Sequence, residues 1–395
     1  MMMSENGKSW TRTALLFVGH LLNDGFASFL APLLPILIDR LDLSFAMAGL
    51  LGTTRILMNS LMQPGLGHLV DRVQRPWLVV IGPVLTVAAM SFIGRANHFF
   101  FLVFIMVVAG LGTALFHPAA AALVAAGTHS RRGLLMAFFS SGGTLGGALA
   151  PIVIVAFIEA RGLAASPWLL IPGLLLVTGF AIPLRRVLPT PVRREHEKFR
   201  LAHLPHRFFL LWTVIVVRAV SATAFASFLA VLVTQRGGST FAGAASISAF
   251  LLAGAVGSFF AGNLSDRWGR KAVLLGSMAL ATPLYLLFLY GPTVLLLPAI
   301  ALTGLLALSA TPVGVVAAQE CLPGRTGLVS GLVMGLAWGV GGLALTPIGW
   351  LADHVGLITV MSYVAALPLI GFILMLFYKD ASPVPPPAGE LRSRS

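Results

Sequence analysis

Three ionisable side chains stand in the middle of long apolar runs: Asp24, Arg55 and Arg218. A charge at the centre of a bilayer costs at least ~2.5–3.5 kcal/mol on insertion scales, so it is kept for function or paired with a neighbour. Each lies about ten residues from the start of its run, ~15 Å at helical rise and half of a ~30 Å hydrocarbon core. Polar neighbours at four-residue spacing extend these charges into stripes on single helix faces. His20, Asp24 and Ser28 form one stripe; Arg55, Asn59 and Gln63 form another; Thr113 and His117 form a third. Lipid does not accept such faces, so they line water or protein. Two permanent positive charges against one carboxylate, with histidines that titrate near pH 6.5, make a cavity that favours anions. The planar fork of arginine suits a phosphonate, phosphate or carboxylate because it donates two parallel hydrogen bonds.

Asp24 is therefore the candidate proton carrier, with His20 and His117 as its partners in coupling. Arg55, Arg218, Asn23, Asn59, Gln63 and Thr113 are the candidate substrate ligands. An anion that competes with Asp24 for Arg218 would couple substrate to proton. Blander alternatives stand beside these roles. Asp24 and Arg218 could form a static ion pair that fixes packing, Arg55 could be satisfied by carbonyls between helices, and the histidines could be hydrogen-bonded packing residues.

The elements that must position these residues follow from composition. The chain has 395 residues, 57% hydrophobic and 10% charged, with a mean hydropathy of +0.93. Soluble domains carry about a quarter charged residues, so a soluble enzyme is excluded. The pattern predicts an all-α membrane protein of twelve transmembrane helices in two pseudo-symmetric six-helix halves. Apolar runs fall at roughly 14–37, 44–67, 76–94, 99–127, 133–158 and 166–184, then at 208–233, 241–264, 271–291, 293–317, 327–350 and 357–378. Residues 1–184 and 208–378 make the halves, 185–207 a basic cytoplasmic linker, and 379–395 a proline-rich tail that reads as disordered. The first apolar segment is full span length and reads as an uncleaved helix.

Of the 26 Lys and Arg residues, only Arg40, Arg95, Arg161 and Arg236 fall on the side away from the termini, and Arg55 and Arg218 sit inside spans. The positive-inside rule then puts both termini in the cytoplasm. The net charge of +13 and pI near 11.3 come from those loops, which argues against nucleic-acid binding. Cys321 is the single cysteine and offers neither a disulfide nor a metal cluster. The spacing of His, Cys and carboxylates predicts no metal site, and no cofactor, nucleophile–base or ATP-binding motif appears. Any pumping would draw on an ion gradient, with protons, a small anionic molecule and the lipid bilayer as the only partners expected of a monomer.

The halves repeat in sequence. Gly67-His-Leu-Val-Asp71-Arg72-Val-Gln-Arg75 between spans 2 and 3 is answered by Gly262-Asn-Leu-Ser-Asp266-Arg267-Trp-Gly-Arg270-Lys271 between spans 8 and 9, an offset of 195 residues from Asp71 to Asp266. His117-Pro118 is answered by Thr311-Pro312, and Gly146-Gly147 with Pro151 by Gly341-Gly342 with Pro347. Parallel six-helix repeats are the arrangement expected around an alternating-access cavity. The carboxylates Asp71 and Asp266, beside basic partners at helix ends, can latch helices in one state and release them in another, which makes these loops candidate conformational gates.

The loop motif on twelve spans with a basic centre resembles the major facilitator superfamily over nearly the whole chain. The first copy departs from the pattern at Gln74 and Pro76. The run His20-Leu-Leu-Asn23-Asp24-Gly25, with Pro32-Leu-Leu-Pro35, Leu43-Ser44, Ala48-Gly49-Leu50, Gln63-Pro64 and Phe116-His117-Pro118, is similar to the fosmidomycin-resistance branch. That resemblance implies a proton-coupled antiporter in the inner membrane of a prokaryote, exporting a phosphonate antibiotic and similar anions. Gly142, Gly143, Gly146, Gly147 and Pro151 in span 5 resemble an antiporter signature in part, and close helix packing is the other reading. The rival function is a proton symporter importing a small organic anion such as a monocarboxylate.

Overall fold

The computed structural model describes residues 5–73, 77–126, 132–188, 205–322, 329 and 331–379. Among the described residues it is helical throughout and contains no strand. The first span runs as α1 (Glu5–Ala27) and α2 (Leu30–Leu41), followed by α3 (Phe45–Val73), α4 (Leu78–Ser91), α5 (Phe99–Ala125), α6 (Arg132–Arg161) and α7 (Leu170–Leu184). The second half comprises α8 (His206–Gln235), α9 (Thr240–Trp268), α10 (Arg270–Tyr290) and α11 (Leu296–Cys321). It ends in a π-helical turn at Gly331–Leu336, then α12 (Ala337–Leu343), α13 (Leu345–Val355) and α14 (Leu357–Leu376).

Among the described residues, eleven helical segments are long and apolar enough to cross a membrane. The 29-residue α3 has the length as well and carries the polar stripe of Arg55, Asn59 and Gln63. The first span begins about nine residues before the expected start, at Glu5, and breaks at Ser28–Phe29. Pro32 has no N–H to give the Ser28 carbonyl and its ring crowds that oxygen, which favours a break at this point. The Ser28 hydroxyl turns back to the Asp24 carbonyl at 2.7 Å. Pro347 interrupts the eleventh span in the same manner, between α12 and α13.

Arginine clamps repeat in the two halves. Arg12 on α1 donates to the carbonyl of Ala126 at the end of α5 and to Val187 at 3.3 Å, and Arg207 on α8 donates to Cys321 at the end of α11 at 3.3 Å. At the opposite end Arg40 reaches Gly94 at 2.8 Å, and Arg236 reaches Phe288 and, at 2.5 Å, Gly291. Each guanidinium meets carbonyls left open where a helix ends, where the helix dipole is negative. Arg40 and Arg236 are thus helix clamps at the end remote from the termini.

The halves meet along a seam between α3 and α12–α13. Thr53 Oγ1 donates to the Gly342 carbonyl at 2.7 Å and accepts from Thr346 Oγ1 at 2.9 Å. A Cβ on Gly49 would lie 2.2 Å from the Leu345 oxygen, and one on Gly349 2.1 Å from the Phe45 oxygen, so glycine is what lets these backbones touch. At the remote end the Asp353 carboxylate accepts from the backbone N–H groups of Phe45 at 2.6 Å and Ala46 at 3.0 Å. α2, the remote part of the first span, joins α8 and α9 from the other half, and α6 packs along α9. The bundle is therefore closed at the end away from the termini.

Candidate functional site

The first half supplies most of the polar cluster. Asp24 sits on the face of α1 that looks across to α3, α5 and α6. His20, one turn earlier, brings Nε2 to 3.1 Å from Asp24 Oδ2, and His117 of α5 brings Nε2 to 3.1 Å from Oδ1. Asn23 Nδ2 donates to Oδ1 at 2.9 Å and in turn accepts from Thr86 of α4 at 3.0 Å. His20 Nδ1 lies 2.9 Å from the carbonyl of Phe139, and its ring stacks on the Phe139 ring at 4.4 Å. Gln63 donates to Asn59 at 2.9 Å and lies 3.5 Å from His117 Nδ1. A continuous polar chain thus runs from Thr86 through Asn23, Asp24, His117 and Gln63 to Asn59.

The glycines of α6 allow this proximity. A Cβ on Gly143 would stand 2.3 Å from His20 Nε2 and 2.7 Å from Asp24 Oδ2, and one on Gly146 would stand 2.1 Å from the Leu21 oxygen. Gly142 meets the Phe17 oxygen in the same way, at 2.5 Å. In this structure the glycine run docks α6 against α1 directly over the charged pair, which is the close-packing reading of the motif.

Arg55 is within electrostatic reach of Asp24, and its Nε is buried with no hydrogen-bond partner among the described residues. A buried unsatisfied donor is rare enough to require an explanation. Arg218, 8% exposed, donates from Nη2 to the Ala307 carbonyl at 2.6 Å. It lines a small pocket with Thr311, Trp338 and Ala222. The Asp24–Arg218 ion pair entertained from sequence does not occur: the two histidines hold Asp24, and a carbonyl of the proline-containing α11 holds Arg218. Thr311 answers His117 in the repeat as Arg218 answers Asp24, so the second half carries a charge-reversed copy of the first-half cluster.

Of the other candidates, Thr113 is 4% exposed and donates its hydroxyl to the Ala109 carbonyl of its own helix. Asn23 is fully buried behind Asp24, where it positions the carboxylate. In the second loop motif Arg270 bonds Asp266 at 2.5 Å and Glu320 of α11 at 3.1 Å, while Lys271 caps the α14 end at Leu376 and Tyr378. Arg267 is exposed, and a Cβ on Gly262 would meet nothing within 4 Å. In the first motif Gly67, Asp71 and Arg72 fall on the last turns of α3, and Arg75 lies outside the described residues, as do positions 189–204 of the linker and 380–395 of the tail. Sequence reasoning missed Thr86, the Phe139 carbonyl and Asp353. A lone threonine in an apolar span and a backbone oxygen give no signal, whereas Asp353 at a helix end was visible as a charge without an assigned partner.

No metal spacing was expected from sequence, yet the ligand atoms of His20, Asp24 and His117 lie within 4.8 Å of one another. Only the fold brings His117 to the i, i+4 pair on α1. All three side chains are already joined by hydrogen bonds, which accounts for the proximity without an ion.

The family model described as Major Facilitator Superfamily matches residues 16–248 and 211–394. The chain is 31% identical over 392 residues to an uncharacterized MFS-type transporter, YfnC, of Bacillus subtilis, with 93% of each chain covered. It is 30% identical over 372 residues to the fosmidomycin resistance protein of Escherichia coli, covering 92% of this chain and 91% of that one. Among solved structures it is similar to a bacterial homologue of the human lysosomal transporter Spinster in an inward-facing, unoccupied conformation. That likeness has a TM-score of 0.76 at 17% identity, covering 95% of this chain and 99% of the other. A nucleoside transporter, NupG, aligns with a TM-score of 0.74 at 15% identity over 94% of this chain and 100% of that one.

Proposed function

The chain belongs to the major facilitator superfamily and is a membrane transporter rather than an enzyme; from that premise we propose that it is a proton-coupled exporter of small anionic or amphiphilic compounds of the phosphonate type. Arg55 is the observation that carries this reading. A guanidinium whose Nε is buried without a partner among the described residues, within reach of Asp24 and on the helix face of Asn59 and Gln63, is a donor waiting for an acceptor. An oxyanion supplies that acceptor, and Arg218 across the bundle supplies a second fork. The fosmidomycin resistance relative supports a phosphonate as the first compound to try. With positive loops in the cytoplasm, the closed end of the bundle is the outer one, so substrate enters this state from inside.

The sign of the coupling depends on what else the substrate carries. A proton on the Asp24 cluster relieves Arg55 of its nearest negative charge, so proton and simple anion strengthen each other's binding. Antiport needs the reverse, and a substrate obtains it by placing a donor of its own on Asp24 in place of His20. An amphiphilic anion with such a donor is exported against protons. A plain monocarboxylate is carried with them, and the histidine partnership of Asp24 favours that second reading for simple anions.

Proteoliposomes containing an internal pH dye test both. Phosphonate-driven proton movement opposite to the substrate, lost in Asp24→Asn, supports the exporter. Co-directional movement with a monocarboxylate alone replaces it with the symporter, and no proton movement with either compound removes proton coupling.

A further inference from the structure

The hydrogen-bond accounting within the cluster locates a proton. The Phe139 carbonyl can only accept, so the His20 Nδ1 at 2.9 Å from it carries a hydrogen. His20 Nε2 then faces Asp24 Oδ2 at 3.1 Å. With no further proton, that contact would oppose a ring-nitrogen lone pair to a carboxylate oxygen. One more proton is required, either on Nε2 as an imidazolium or on Oδ2 as a carboxylic acid. The ring is not free to turn away: it is 8% exposed, tied to one carbonyl, stacked on Phe139 at 4.4 Å and flanked by the tilted ring of Phe116 at 5.6 Å.

His117 obeys different arithmetic. Its Nε2 donates to Asp24 Oδ1 at 3.1 Å, and Gln63 Nε2, which also donates to Asn59, points its other hydrogen at His117 Nδ1 at 3.5 Å. A neutral ring protonated on Nε2 satisfies both contacts. The remaining groups facing the pair are Arg55 from α3, whose charge is permanent, Thr86 from α4 acting through Asn23, and Gly143 from α6.

We infer that the transported proton resides on the His20–Asp24 pair, fixed by the Phe139 carbonyl and roofed by Gly143, while His117 remains a neutral positioning residue. This assignment deepens the proton-coupled reading above and rests on it for its biological use. The site itself is a statement about one proton on two named side chains. Loss of that proton leaves the lone pair of a ring that cannot turn away against a carboxylate. The carboxylate is then drawn to Arg55, and that displacement is the event through which the proton governs the substrate's guanidinium.

Nitrogen NMR of ring-labelled histidine, with infrared detection of protonated carboxyl groups, tests this on the full chain in lipid nanodiscs without substrate. Signals are assigned with His20→Gln, His117→Gln and Asp24→Asn. On titration from pH 5 upward, one proton per chain should leave the pair, read as loss of a doubly protonated His20 or of an Asp24 carboxyl band. His117 should stay protonated on Nε2 alone across that step. The step should persist in His117→Gln and vanish in both His20→Gln and Asp24→Asn. A step carried by His117, or no bound proton on the pair at any pH, overturns the assignment. The readout needs no transport, so an intact step in a protein that moves no protons would defeat the coupled-transport reading and leave the proton site standing.

Discussion

Removing the Asp353 carboxylate should open the remote end of the bundle. Asp353 belongs to the second half, yet it satisfies two of the first N–H groups of α3 in the other half, Phe45 at 2.6 Å and Ala46 at 3.0 Å. The helix's own cap, Ser44, accepts only from Met47, at 3.2 Å. The carboxylate therefore acts as an N-cap donated in trans, and separating the halves strips it away. Replacing an N-cap Asp by Ala costs about 0.5–2 kcal/mol, and a negative charge at a helix N-terminus contributes about 0.3–1 kcal/mol of similar origin. Because the site is exposed to solvent, the lower part of that range applies, about 1 kcal/mol. That difference moves a closed-to-open equilibrium about fivefold. Spin labels at Phe100→Cys and Val294→Cys, both 78% exposed at the remote end of opposite halves, would report the separation in a Cys321→Ser background. Asp353→Ala should raise the population at the longer distance about fivefold, and Asp353→Asn, which keeps an acceptor but loses the charge, should raise it less. An unchanged distance distribution in both variants would refute the latch.

Four further outcomes are expected. Gly146→Ala should destabilise the fold by about 1–3 kcal/mol in detergent melts, since its Cβ would stand 2.1 Å from a backbone oxygen, whereas Gly147→Ala, facing Ser28 Oγ at 3.4 Å, should be tolerated. Arg55→Gln should weaken binding of an oxyanion substrate about 10- to 100-fold by calorimetry, the loss of charged hydrogen bonds, and Arg55→Lys should recover it only in part. Arg236→Gln should lower the melting temperature more than Arg40→Gln, because Arg236 holds two carbonyls where Arg40 holds one. Glu320→Gln should weaken the tie between α9, α10 and α11, seen as faster hydrogen exchange around Arg270, while substrate affinity stays unchanged.

Much of the architecture was legible because a bilayer allows few solutions. Hydrophobic runs of span length announced a bundle of membrane-spanning helices, and the 195-residue repeat announced two halves. Intramembrane charge is costly, so Asp24, His20, Arg55 and Arg218 announced themselves as residues kept for a reason. The helical period then placed His20 beside Asp24 and Asn59 beside Gln63, and both pairs are in contact.

Partnership across helices was decided by the tertiary structure alone. Periodicity says which face a residue occupies, but not which other helix that face meets or how closely. Pseudo-symmetry made Asp24 and Arg218 equivalent, and equivalence is not contact: α5 delivers His117 to Asp24, and the proline-containing α11 offers Arg218 a carbonyl instead. The clamps of Arg12, Arg207, Arg40 and Arg236, the Phe139 carbonyl behind His20 and the two N–H groups held by Asp353 all involve backbone atoms. Every residue type carries those atoms, so composition and spacing leave them invisible until the chain is folded.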